Sequence, residues 1–444
     1  MKWISSNAES CWSENPVEAA ARETANETTI TGNEDQRVRG FGGCFNELGY
    51  RALCSVSPAA QEEVFGELFG ADNCGFSLCR VPIGASDYAE SWYSHSEVPE
   101  DYDQKHFSID RDKLLLLPYI KKALQVNPSI TLFASPWSPP TWMKTKQTFN
   151  FGTLRWEEAV LKAYALYFKK FVEAYRAEGV TVSQVHVQNE PQSDQKFPSC
   201  LWTGEKMRDF IKYYLGPLFA REHIPCEIWA GTIEKGIEHG YHFGDLGTND
   251  FSRWAHTILS DRECRAYVGG IGYQWDGKGA VQRTRHAFPD VPILQTENEC
   301  GDGTNNWNYA MYVFNLMWDY FTNGTTAYTY WNMVLPEGGE STWGWKQNSM
   351  ISVSGAGEVR YNPEFYVMKH FSCFVKPGAV RLHTEGGWSA FSLAFRNTDD
   401  SVVAVFSNPY HEPGAVNLSV SGRTTGFTAP PRSINTVIMG AGEV

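Results

Sequence analysis

Two glutamates stand at the ends of apolar runs. Glu190 closes VSQVHVQNE (182–190), and Glu297 lies near the close of VPILQTENE (291–299). If both runs are strands of one barrel, the fourth and the seventh, the two carboxyls face each other across its mouth. One can protonate a leaving oxygen while the other attacks the carbon that the oxygen leaves. That is the retaining cleavage of a glycosidic bond, which needs the carboxyls about 5–5.5 Å apart. The acid must stay protonated and the nucleophile ionised, so their surroundings must differ. Ordinary loop carboxylates are the plainer reading, and placement of both at strand ends argues against it. Glu299 competes for the nucleophile's role, because alternate residues of a strand share a face.

Other candidates lie at or near the ends of these and similar runs. Asn189 is placed to hydrogen-bond a sugar 2-hydroxyl, the alternative being a loop cap. Asp87 would accept hydrogen bonds from sugar hydroxyls or serve as a buried partner of Arg80. Trp137 and Trp331 would wall the pocket, and Trp275 ends the sixth run beside them. Tyr273 is positioned to donate to the nucleophile, against the alternative of a packed barrel tyrosine. His186, inside the fourth run, reads as a satisfied core residue, and His239 and His242 as a surface loop. No HxH or HExxH spacing, no GxSxG elbow and no cofactor signature occurs, so neither metal nor cofactor is expected.

The elements that must position these residues are legible as alternation. Eight short apolar runs recur: 38–44, 76–87, 130–137, 182–190, 226–232, 267–275, 291–299 and 326–333. Runs rich in β-branched and aromatic residues are what buried parallel strands require. Between them lie helix-like stretches, including SPAAQEEVFGELFG, DRDKLLLLPYIKKALQ, RWEEAVLKAYALYFKKFVEAYRAEG and GEKMRDFIKYYLGPLFARE; the third stops at Gly179. Eight such units predict a (β/α)8 barrel over residues 38–375, with functional residues at the C-terminal strand ends. An open doubly wound sheet is the alternative, but no Gly-rich phosphate fingerprint follows the first run. From residue 376 to 444 short alternating runs predict a small antiparallel β-sandwich, which strands from residues 1–37 would complete.

Composition excludes some classes. The chain of 444 residues carries a formal charge of −13 with no basic block, which argues against a nucleic-acid partner. No apolar stretch is long enough to span a membrane. Ten cysteines are scattered without metal-like spacing and read as buried free thiols. The opening MKWISSNAESCW lacks a signal-peptide core, so the chain as given is expected in the cytoplasm. A secreted or periplasmic protein trimmed of its signal would read the same. The 16 Trp and 21 Tyr suit the apolar faces of sugars, although most will be core.

Longer motifs resemble glycoside hydrolase family 30, nearly end to end. They are GFGGCFNE, RVPIGASDY, FASPWSPPTWMKT, QNEP, CLWTGEKMRDFIKYYLGP, TENECGDG, WNMVLPEGG and VKPGAVR. The resemblance implies a barrel with an attached β-sandwich, a retaining mechanism and no cofactor. It places the acid/base on Glu190, the nucleophile on Glu297, and sugar contacts on Asp87, Trp137, Asn189 and Trp331. Two places depart from the glucosylceramidase-like branch. Tyr273-Gln274-Trp275-Asp276 stands where that branch has His-x-Trp-Tyr, and Asn46-Glu47 where it has Thr-Asp. Both positions are expected near the sugar or aglycone, which points away from a ceramide-linked substrate. The expectation is an exo-acting β-glycosidase on gluco-, fuco- or xylo-configured sugars. An endo-β-1,6-glucanase and a catalytically silent sugar-binding protein are the alternatives.

Overall fold

The computed structural model describes residues 1–17, 20–235 and 251–443; His239 and His242 lie outside them. Eight parallel strands form the central sheet: β1 (Gly40–Cys44), β2 (Leu78–Ile83), β3 (Thr131–Pro136), β4 (Val182–His186), β5 (Glu227–Ile233), β6 (Val268–Gln274), β7 (Ile293–Glu297) and β8 (Ala327–Asn332). Their order is β7-β6-β5-β4-β3-β2-β1-β8. The seam between β7 and β8 is stitched partly by side chains. Thr326 N donates to the Ile293 carbonyl at 2.8 Å, Thr329 N to Gln295 Oε1 at 2.6 Å and Trp331 N to Asn298 Oδ1 at 2.7 Å. The sheet thus closes into a TIM barrel. Strands β1, β2, β7 and β8 are buried along their whole length, as strands covered on both faces must be.

The helices follow their local signals. Helix Pro58–Phe69 begins at Ser57, whose side chain accepts from Ala60 N, and helix Glu158–Ala177 ends just before Gly179 at φ +79°. Two stretches differ from the sequence expectation. The helix expected from Asp110 starts only at Leu116; in the turns before it, Asp112 accepts from the hydroxyls of Tyr93 and Tyr175, each at 2.6 Å. The stretch 204–222 is broken by a π turn at Ile211–Leu215, where Gly216 lies against the Tyr267 ring. A Cβ there would approach Tyr267 Cγ to 2.4 Å.

The second unit is the side β-sandwich, and chain ends share it. Strand Lys2–Ser6 pairs antiparallel with Ser433–Met439, and Glu27–Arg37 lies between Val380–Glu385 and Gly414–Val420. Its core contains Trp3, Ile30, Phe406, Leu418, Phe427 and Val437. His370, on barrel helix Pro363–Ser372, ties the units together: its ring nitrogens meet Thr436 Oγ1 and Ser6 Oγ, each at 2.8 Å. All ten cysteines are free. No described helix is long and apolar enough to cross a membrane. His186 is core but not satisfied. Its ring stacks on Trp229 with centroids 5.3 Å apart, and neither ring nitrogen has a hydrogen-bond partner among the described residues.

Candidate active site

The C-terminal mouth of the barrel holds a cavity of about 470 Å³. Its lining includes Asp87, Trp137, Asn189, Glu190, Trp275 and Glu297, six of the eight site residues expected from sequence. Backbone irregularities aim them. On β7 the register against β6 slips so that Gln295 faces Tyr273 but Glu297 faces Gln274. That one-residue bulge swings the Glu297 carboxyl into the mouth. A similar slip at Trp331 ends β8. Glu190 and Trp275 both hold positive φ, 46° and 48°, a costly conformation for residues with a Cβ. Glu190 is held there by its backbone N–H on the Thr232 carbonyl at 3.1 Å, and Asn189 by its own on the Pro136 carbonyl at 2.8 Å.

Arg80 organises the floor. This fully buried guanidinium, inside β2, reaches Glu297 Oε2 at 2.7 Å, Asn189 Oδ1 at 2.6 Å, Ser135 Oγ at 2.7 Å and Gln274 Oε1 at 3.2 Å. Its Cζ lies over the Trp137 ring, 4.5 Å from the centroid. The Asn189 oxygen is thereby engaged, accepting from Arg80 and Gln274. Glu297 receives a second donor, Trp275 Nε1, at 2.8 Å from Oε1. Burial raises its pKa, and Arg80, Trp275 and Gln274 pull against that rise.

Glu190 has no such support. Among the described residues its side chain has one hydrogen bond, a 3.3 Å contact from Gln274 Nε2. Burial, then the charges of Glu297, Glu234 and Asp87, push its pKa well above the ordinary glutamate value. The two carboxyls therefore differ in the direction that acid/base division requires: one beside a cation, the other among anions.

The remaining residues fall into place or out of it. Asp87 lies four residues beyond β2 and does not bond Arg80. Its Oδ2 faces Gln347 Nε2 at 3.5 Å, and its buried Oδ1 has no hydrogen-bond partner among the described residues. Burial and the Glu297 charge push it up to about 8. Tyr273 is a correction. Its hydroxyl meets Thr284 Oγ1 at 2.6 Å on helix Lys278–Ala287, so the side chain points outward from β6 and does not reach Glu297. Alternation puts its neighbour Gln274 inward instead. Trp331 is also displaced from expectation. It does not line the cavity but stands against Trp137, with centroids 5.1 Å apart. Glu299 lies beyond the end of β7 at the rim, paired with Lys278 at 2.7 Å. Asn46 and Glu47 do not line the cavity either. Asn46 caps helix Glu47–Leu53, and Glu47 bonds Arg111 at 2.9 Å.

Four residues carry more of the site than their sequence context suggests. The sequence offers Arg80 only as a partner for Asp87. Glu234 immediately follows β5, and the strand-end rule applied one residue further would have found it. Its Oε1 accepts from Ser193 Oγ at 2.7 Å and Gln192 N at 3.0 Å, and burial pushes it up to about 7. Trp345 and Gln347 come from the long loop after β8 and carry no strand-end signal.

Barrel, carboxylate pair and side sandwich together define a glycoside hydrolase. More narrowly, the chain belongs to glycosyl hydrolase family 30: the TIM-barrel domain of that family matches residues 38–375 and its β-sandwich domain residues 378–437. The lysosomal acid glucosylceramidase of Mus musculus is 29% identical, over 91% of this chain and 81% of its own length. An endo-1,6-β-D-glucanase of Neurospora crassa is 25% identical, over 84% of this chain and 79% of its own. The solved structure of the endo-β-1,6-glucanase BT3312 superposes with a TM-score of 0.87 over 99% of each chain at 24% identity, a likeness of fold.

Proposed function

We propose that the protein is a retaining, exo-acting β-D-glycosidase. Glu297 attacks the anomeric carbon while Glu190 protonates the departing oxygen. Glu190 then takes a proton from the water that hydrolyses the glycosyl-enzyme. The observation that carries this reading is the asymmetry of the two glutamates: Arg80 and Trp275 bond Glu297, whereas Glu190 sits among carboxylates. Asp87 and Asn189 would bind hydroxyls of the cleaved sugar, and Trp137, backed by Trp331, would cover its apolar face. Among gluco-, fuco- and xylo-configured sugars we favour glucose, because the relatives named above take their names from β-glucosidic substrates.

A panel of p-nitrophenyl β-D-glycosides tests it: glucoside, xyloside, fucoside, galactoside and glucuronide. Rapid release from the glucoside is expected. The glucanase relative favours one second reading, endo cleavage of a β-1,6-glucan. A ladder of oligosaccharides from that polymer, with no aryl glycoside cleaved, would establish it instead. A folded protein that hydrolyses neither class would overturn both.

A further inference from the structure

The cavity has two buried carboxylates beside the reacting pair, on opposite flanks. Asp87 follows β2, next to the Trp137 wall. Glu234 follows β5, beside the turn that carries Glu190. The link to that turn is direct. Ser193 N donates to the Glu190 carbonyl at 3.1 Å, and the Ser193 hydroxyl donates to Glu234 Oε1 at 2.7 Å. The other oxygen, Oε2, is buried, belongs to a residue that lines the cavity, and has no hydrogen-bond partner among the described residues. A buried acceptor of that kind is costly unless something donates to it.

If Glu190 is the proton donor, the leaving oxygen sits at its carboxyl, and what lies on the Glu234 side is the departing group. From this geometry we infer that Glu234 is a specificity residue for the leaving group, accepting a hydrogen bond from a hydroxyl of a sugar aglycone. The inference rests on the acid/base reading of Glu190. The surroundings agree with a hydroxylated rather than a lipid leaving group. Lys235, Asp276, Lys278 and Glu299 line the same flank, with Lys278 bridging Asp276 at 3.3 Å and Glu299 at 2.7 Å. A hydrocarbon chain laid there would strip water from these charges without replacing their hydrogen bonds.

The test compares two substrates that both need an acid but differ in hydroxyls on the leaving group: a β-linked glucobiose and octyl β-D-glucoside. For Glu234→Ala, kcat/KM on the glucobiose should fall at least about tenfold more than on the octyl glucoside, with most of the difference in KM. Glu234→Gln, which keeps one acceptor oxygen, should fall between the wild type and Glu234→Ala. Equal losses on both substrates would overturn the inference, since a residue that merely braces the Glu190 turn, or acts through its charge on Glu190, affects both alike. Residual turnover of the octyl glucoside by each variant shows that it is folded. A wild type that cleaves the octyl glucoside but not the glucobiose also overturns it while leaving the reading of Glu190 intact. A wild type that cleaves neither overturns that reading, and the inference with it.

Discussion

The end of β7 and the turn after β4 present the same residue type to one cavity in two different settings. Glu297 terminates a strand, sits on a bulge and receives two strong donors, a guanidinium at 2.7 Å and an indole N–H at 2.8 Å. Glu190 sits on a strained turn at positive φ, receives among the described residues one long contact from an amide, and has Glu297, Glu234 and Asp87 as charged neighbours. Both are buried, so desolvation raises both. What separates them is the partner: a cation stabilises the ionised form, and neighbouring anions stabilise the protonated one. Identical side chains acquire different duties from the residues around them, most of which come from other strands.

Substitutions that break this contrast should rank in a definite order. Glu297→Ala removes the proposed nucleophile and should abolish turnover, by about 10⁴-fold or more in kcat, in a protein whose circular dichroism is unchanged. Glu190→Ala should cost about 10²–10⁴-fold on glycosides with poor leaving groups, and clearly less in the glycosylation step on nitrophenyl glycosides, whose leaving group needs little protonation. Arg80→Met attacks the contrast itself. It strips the cation from Glu297 and leaves a buried charge unpaired, at a cost of about 3–5 kcal/mol in unfolding free energy. Arg80 lowers the Glu297 pKa, so its loss should raise it. The nucleophile must be ionised, and the acidic limb of the kcat/KM profile should therefore move to higher pH and narrow the bell. The basic limb reports the loss of the Glu190 proton and should lie above the ordinary glutamate range in the wild type. Tyr273→Phe is the smallest change. Its hydroxyl serves Thr284 outside the barrel, so kcat/KM should stay within about twofold while stability falls by about 1 kcal/mol.

Much of this arrangement could be read from the chain, for a physical reason. Barrel strands are buried on both faces and announce themselves as apolar runs, and polar residues that close such runs converge at one mouth. Glu190, Glu297, Asp87, Trp137, Asn189 and Trp275 were reached in that way. The failures share a cause as well. Tyr273 and Gln274 are neighbours with polar tips, and periodicity alone does not say which faces inward. Trp331 ends a strand, yet the bulge beneath it sets its ring behind Trp137. Arg80 is visible as a lone charge within FSLCRVPI, but its partners lie on β3, β6 and β7 and in the turn after β4, and they meet only when the sheet closes. Gln347 arrives from a loop whose course no local pattern fixes.

The division of labour between the two glutamates can be tested most directly by covalent trapping. A 2-deoxy-2-fluoro β-glucoside with a good leaving group slows breakdown of the glycosyl-enzyme, so that peptide mapping by mass spectrometry identifies the attached residue. The sugar is expected on the peptide containing Glu297, with the adduct absent from Glu297→Ala. Attachment to Glu190 or Glu299, or turnover of the natural glycoside with inversion at the anomeric carbon, would contradict it.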